Sequence, residues 1–310
     1  MPRTSARHAG EVLAAAIRTH AEAVLRGHDG VRAAAAVRAP GAPDAPDAPG
    51  AGSDAVHDAR VAVRRLRATL RVFRDCTDPE PGTVAALTWW VRALGAARDA
   101  EVQREGLAAL AGGLAPGSPD VHAGLVVLDG ALRAAHDDAR ARVRAALASP
   151  RARDLTARLD ALASAPPVVG DPDGDTGRDA ATTLRPGVER ELARVARRAG
   201  PVAASQGPGG GGRPPAAVVH RLRKAARRAR YAAEVLATSG DRTTDRWAAG
   251  VVAHHRELQD LLGTVHDADL LRATLVGLRT PRTAAAADAC VRLGDERAAQ
   301  ALAAAVAALP

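Results

Sequence analysis

"AVHDARVAVRRLRATLRVFRD" (residues 55–75) places six arginines and one histidine in twenty-one residues, beside a regular apolar stripe. At about 100° of rotation per residue, His57, Arg60, Arg64, Arg67, Arg71 and Arg74 fall within about 100° of arc. Ala59, Ala62, Val63, Leu66, Leu70 and Phe73 occupy the opposite side. The pattern predicts an amphipathic helix with one face in a core and the other an arginine row. Arg60–Arg64, Arg64–Arg67, Arg67–Arg71 and Arg71–Arg74 are like-charge neighbours, which oppose the isolated helix by roughly 1–2 kcal/mol in all. Within the helix only Asp75, four residues after Arg71, offsets this. Two readings compete: a face arranged for an anion supplied from outside, and a solvated face neutralised by acids on another helix.

The stretch has a partner. "VHDARVAVRRLR" begins at 56 and "VHRLRKAARRAR" at 219, an offset of 163 that pairs His57 with His220, Arg60 with Arg223, Arg64 with Arg227, Arg65 with Arg228 and Arg67 with Arg230. In the second copy Leu222, Ala226, Ala229, Ala233 and Leu236 form the apolar back, and Lys224 joins the flank. A second echo follows in the same order: "ALGAARDAEV" (93–102) and "LLGTVHDADL" (261–270), aligning Gly95 with Gly263, Arg98 with His266 and Asp99 with Asp267. Two echoes in one order predict two similar helical halves, related by pseudo-twofold symmetry.

Apolar residues recur at spacings of three and four over 9–38, 53–75, 82–111, 120–163, 178–199, 215–239, 242–279 and 284–308, all predicted as helices. No stretch sustains a period of two, so no strand is expected. Ser53 or Asp54 is a candidate cap for the first basic helix and Asp120 for the fourth segment. Helix breaks are expected near Gly95 and Gly263. Pro/Gly-rich stretches near 39–52, 164–177 and 207–215 read as flexible linkers. A single domain over 1–310 is expected, made of two repeats at 9–163 and 178–308.

The chain of 310 residues is 47% apolar but only 2% aromatic, so the core must be built from Ala, Leu and Val. The formal charge of +8 points to an anionic partner. Lys224 is the sole lysine among 43 basic residues. Arginine's planar fork suits phosphate oxygens, although a GC-rich genome would explain the same preference. Cys76 and Cys290 fit no metal or redox spacing and read as small buried hydrophobes. No apolar run approaches a membrane span or a signal-peptide core, so no membrane partner is expected and the localisation expected is cytoplasmic.

The motifs "VHDARVAVRRLRATLRVFR" (56–74), "VHRLRKAARRARYAAEVL" (219–236), "LGAARDAEV" (94–102) and "LQDLLGTVHDADLL" (258–271) resemble the CHAD family, the conserved histidine α-helical domain. The four cover about a fifth of the chain. The resemblance implies an all-α fold of two four-helix-bundle-like halves around a basic cleft or pore. It also implies non-catalytic binding of inorganic polyphosphate, and association with polyphosphate granules in some members. The binding residues it implies are His57, Arg60, Arg64, Arg65 and Arg67 from the first motif, and His220, Arg223, Lys224, Arg227, Arg228 and Arg230 from the second. Arg71 extends the first row. Arg74, Arg133, His136 and Arg140 form a secondary basic set, for which simple solvated surface is the competing reading. No catalytic residue, cofactor or metal is expected. The long Pro/Gly loops before each motif depart from the family pattern.

Polyphosphate exposes only charged oxygens, so its site needs dense cations and no stacking platform. Readers of single-stranded nucleic acid usually add aromatic side chains to a basic groove. Here Trp89, Trp90, Trp247, Phe73 and Tyr231 are the whole aromatic stock and are expected in the core or an interface. Nucleic-acid binding through the same faces is the alternative. A weaker one is a metal-dependent phosphohydrolase, suggested by His-Asp pairs at 28–29, 57–58, 136–137 and 266–267. The repeat argues against it, because His266 aligns with Arg98 and Asp58 with Arg221, and arginine cannot ligate metal. The adjacent His254 and His255 point different ways on a helix. "DPDGDTGRD" (171–179) is a faint calcium-loop echo, with Thr176 and Thr182 where Gly and Glu belong, and reads instead as an acidic linker ending in a helix cap.

Overall fold

The structure is a computed structural model that describes residues 7–36, 51–114, 119–169, 178–206 and 212–309, with the side chains of 51–54 excepted. Among the described residues it is all-α: α1 (Ala9–Ala36), α2 (Ala51–Val72), α3 (Thr83–Ala111), α4 (Pro119–Ala148), α5 (Pro150–Ser164), α6 (Ala180–Gln206), α7 (Ala216–Leu236), α8 (Arg242–Gly277) and α9 (Ala284–Ala307), with a 3-10 turn at Arg74–Cys76. The only extended pairings in this set are the isolated bridges His8–Asp179 and Thr77–Val168. No described helix is long and apolar enough to cross a membrane.

The chain forms two compact units, and each draws on both sequence repeats. Unit 1 comprises residues 1–98, 139–191 and 228–253; unit 2 comprises 99–138, 192–227 and 254–310. In unit 1, α1 lies against α2 and α5. The α1–α2 approach is close because Gly27 is bare: a Cβ there would sit 2.8 Å from the Ala59 backbone. The expected apolar face of α2 is buried throughout, from Ala59 to Phe73. The core of unit 2 joins Leu107 and Leu110 of α3, Leu128 and Leu132 of α4, Leu271 and Leu275 of α8, and Ala286, Ala287 and Cys290 of α9. Both cysteines are free and buried.

Several boundaries differ from the periodicity reading. The segment 120–163 is two helices: Ser149, extended at φ −76° and ψ 155°, accepts a hydrogen bond from Ala152 N, and Pro150 opens α5. α2 begins at Ala51, so Ser53 and Asp54 lie inside its first turn rather than before it, and their side chains lie outside the described residues. Asp120 likewise falls in the first turn of α4. α6 runs on past Ala199 through Gly200 and Pro201 to Gln206. α3 and α8 pass through Gly95 and Gly263 without a break. A glycine inside a helix costs about 1 kcal/mol but does not end it when neighbouring turns are well packed. Asp179 caps α6, its Oδ2 accepting from Thr182 N at 3.0 Å. Of the expected linkers, 39–50, 170–177 and 207–211 lie outside the described residues; 51–52 belong to α2, Ser164 closes α5, Val168 bridges to Thr77, and 212–215 lead into α7.

Candidate functional site: two basic faces

The face on α2 belongs to unit 1. Arg60 is buried, and its Nη1 donates to Leu94 O at 3.2 Å and Gly95 O at 2.7 Å on α3. The bare Gly95 receives it: a Cβ there would lie 3.6 Å from Arg60 Nη1. His57 and Arg71 are exposed, and Arg64, Arg65 and Arg67 half-buried. Burial pushes the His57 pKa down, Arg98 of α3 adds to this, and Arg64 and Arg60 contribute less, against an opposing pull from Asp58. Arg67 carries the clearest signal. Burial lowers its pKa, and Arg71 of α2 and Arg92 of α3 lower it further. Among the described residues its Nε has no hydrogen-bond partner.

Arg65, two positions away, is held differently. Its Nε donates to Glu234 Oε2 at 2.8 Å and its Nη2 to Oε1 at 3.4 Å, a bidentate pair across 169 residues of sequence. The same carboxylate lies 3.6 Å from Arg230 Nε. The Tyr231 ring lies 5.6 Å from the Arg65 guanidinium carbon and 4.8 Å from that of Arg230. Behind them the His20 pKa is lowered to about 4, by burial first and Arg65 second, with Glu234 opposing. His20 Nδ1 lies 3.3 Å from Thr69 Oγ1. Arg228 Nε is 3.1 Å from Glu191 Oε2, a carboxylate 9% exposed. These three arginines, grouped with the binding rows by sequence, therefore contact carboxylates supplied by α6 and α7.

The face on α7 that belongs to unit 2 repeats the pattern of α2. Arg223 packs beside Gly263 of α8 as Arg60 packs beside Gly95; a Cβ at Gly263 would lie 3.6 Å from Arg223 Nη2. The His220 and His266 rings are 4.8 Å apart, which places His266 beside His220 as Arg98 lies beside His57. Burial lowers the His220 pKa to about 4, followed by Lys224, His266, Arg223 and Arg227, with no carboxylate among the causes. His220 is thus neutral near pH 7, and among the described residues its Nδ1 has no hydrogen-bond partner. Lys224 is exposed and Arg227 half-buried.

The secondary set divides. Arg74 lies past the end of α2, in the 3-10 turn, where its Nε is 3.5 Å from Asp75 Oδ1. Asp75 also meets Arg190 at 3.6 Å. Arg133 pairs with Asp129 at 2.8 Å on the exposed side of α4. His136 is buried, its Nδ1 3.3 Å from Arg104 Nη1. Arg140 is half-buried on the same helix. Arg92, Arg98 and His266 are the residues that the single-helix reading missed. The alignment of Arg98 with His266 contained a signal for two of them; Arg92 carried none.

Trp90 is fully buried against His28, their ring centroids 5.4 Å apart. Trp89 and Trp247 are half-buried under Arg151 and Arg185, at 5.2 and 4.5 Å. His254 and His255 meet edge to face at 5.0 Å. Among the described residues no group of three or more His, Cys, Asp or Glu side chains is placed to hold a metal ion.

No curated protein matches the sequence. Among solved structures, PptA from Streptomyces chartreusis superposes with a TM-score of 0.68 at 23% identity over 98% of both chains. The CHAD domain from the plant Ricinus communis gives 0.66 at 23% identity, over 98% of this chain and 93% of that one. At that identity the likeness establishes a shared fold. The family model described as CHAD domain matches residues 8–276, so the chain belongs to the CHAD domain family.

Proposed function

We propose that the protein binds inorganic polyphosphate without transforming it, through the basic faces of α2 and α7. The observation that carries this reading is Arg67: a half-buried guanidinium whose pKa is lowered by burial and then by Arg71 and Arg92, and whose Nε has no protein acceptor among the described residues. Such an arrangement is costly alone and is relieved by an anion. His220 supports the same reading, with Lys224, Arg223, Arg227 and His266 around it. His57 and Arg64 on α2, and Arg223, Lys224 and Arg227 on α7, are the further proposed contacts. Arg60, Arg65, Arg228 and Arg230 hold the helices that present them. A metal dication at these histidines would have to join several cations, which disfavours the phosphohydrolase alternative.

The test is titration of long-chain polyphosphate at several salt concentrations, with duplex DNA or RNA as competitor. Binding that weakens steeply with salt and resists the competitor at equal charge supports the proposal. Displacement by nucleic acid transfers the face to that ligand, and metal-dependent release of phosphate would make the protein an enzyme. Co-sedimentation with polyphosphate granules tests the setting that the family resemblance implies.

A further inference from the structure

The loop residue Arg213 stands just before Pro214, Pro215 and the start of α7. Its Nη2 lies 2.8 Å from Asp269 Oδ1 of α8 and its Nη1 2.8 Å from Asp295 Oδ1 of α9. Arg272 holds the other oxygen of Asp295 at 3.0 Å. Among the described residues Asp295 meets both Arg213 and Arg272, and Asp269 meets Arg213. Asp269 follows His266 by three residues, a spacing that puts both on one side of α8. His266 stacks on His220 in the middle of the second basic face. All of these residues belong to unit 2.

We infer that Arg213 is a positioning residue for this face: by pairing with Asp269 it shields the His220–His266 pair from a carboxylate that would otherwise repel the incoming phosphate. The charged and titratable neighbours of His266 are His220 and Arg223 on α7, Asp267 and Asp269 on its own helix, and Asp99 on α3. Burial and then Arg223 lower its pKa, while Asp267, Asp99 and, last, Asp269 pull it up. The two-proline segment after Arg213 is stiff, which keeps the guanidinium in register with α8. The inference rests on the anion-binding reading of the same face.

The test uses two charge-changing variants of the full chain whose effects must differ in sign. The His266 pKa is read by NMR without any anion, with its signal assigned through His266→Gln. Affinity for long-chain polyphosphate is read separately. Arg213→Gln should raise the His266 pKa and weaken affinity roughly threefold to tenfold, the effect of one unit charge felt through partly solvated protein. Asp269→Asn should do the reverse on both readouts, and the double variant should return both close to the parent values. If the two single variants move the His266 pKa in the same direction, or leave it unchanged, the shielding role is refuted. Loss of affinity in both single variants, with no rescue in the double, would make Arg213 merely structural. A parent protein that fails to bind polyphosphate overturns the functional reading instead, and the anion-free titration of His266 still decides the inference.

Discussion

Arg65 and Arg67 stand two positions apart on α2, and their surroundings have opposite sign. The Glu234 carboxylate raises the Arg65 pKa against the opposing effect of burial, while burial first, and then Arg71 and Arg92, lower that of Arg67. Arg65 gains a carboxylate partner on folding, and Arg67 is brought near other cations. Along α7, Arg230 and Arg228 meet Glu234 and Glu191, and the His220 pKa is lowered by burial and then by Lys224, His266, Arg223 and Arg227. A motif rich in one residue type thus places its arginines in unlike surroundings. The lesson is that an arginine count along a helix measures neither stability nor binding until the sign of each neighbourhood is known.

The largest test of this division is Glu234→Gln. It leaves Arg65 and Arg230 without their shared carboxylate, and Glu234 is only 19% exposed. A loss of roughly 2–3 kcal/mol in urea unfolding is expected, less than for a fully buried pair because Arg65 is partly solvated. A change below about 0.5 kcal/mol would show that the carboxylate is dispensable.

Arg67→Glu should act in the opposite way. The new carboxylate would lie beside Arg71 and Arg92, so stability should hold or rise by about 0.5 kcal/mol. Polyphosphate affinity should fall by roughly tenfold or more, since two units of charge change at the face. A variant with parental affinity removes Arg67 from the site, and one that unfolds breaks the contrast with Arg65.

Acid should separate folding from binding. The His20 and His220 pKa values are lowered to about 4 in the fold from an ordinary 6.5, so the unfolded chain binds more protons between those values. Stability should then be flat with respect to these groups above pH 6.5 and fall as pH drops from 6.5 toward 4. A bound polyanion raises the pKa of a histidine beside it, so binding takes up protons and polyphosphate affinity should rise over the upper part of the same window. Urea midpoints and titrations from pH 7.5 to 5 measure both slopes. His220→Gln should flatten the binding slope and reduce the stability slope.

The smallest effect is expected at Gly95→Ala. The added Cβ meets Arg60 Nη1 at 3.6 Å, an ordinary contact. Replacing a helical glycine should raise stability by about 0.5–1 kcal/mol and leave affinity unchanged. Thermal unfolding measures it, and a marked destabilisation would show that the Arg60 contact with the α3 carbonyls needs a bare backbone.

Much of the architecture could be read from the amino-acid order. The face from Ala59 to Phe73 and the face from Leu222 to Leu236 were visible as periodic rows, because burial of a helix face is a local property repeated every few residues. The echoes of Arg60 in Arg223 and of Gly95 in Gly263 were also visible, though the contact of each guanidinium with its glycine was not. The break at Ser149–Pro150 carried a capping signature within a continuous apolar rhythm, and the rhythm concealed it. The signal at Gly200–Pro201 misled in the other direction, since the helix continues past both residues.

Amino-acid order alone settled that the chain is helical, that its core is Ala, Leu and Val, and that two helices carry matched His and Arg positions. The tertiary structure decided that Arg65, Arg228 and Arg230 meet carboxylates and that Arg67 lies near Arg71 and Arg92. Helical periodicity acts over one or two turns. The partner of Arg65 lies 169 residues away, and nothing within a turn of Arg65 specifies it. Charge pairing depends on which helices pack together, and the electrostatic character of the site therefore emerges only once they have.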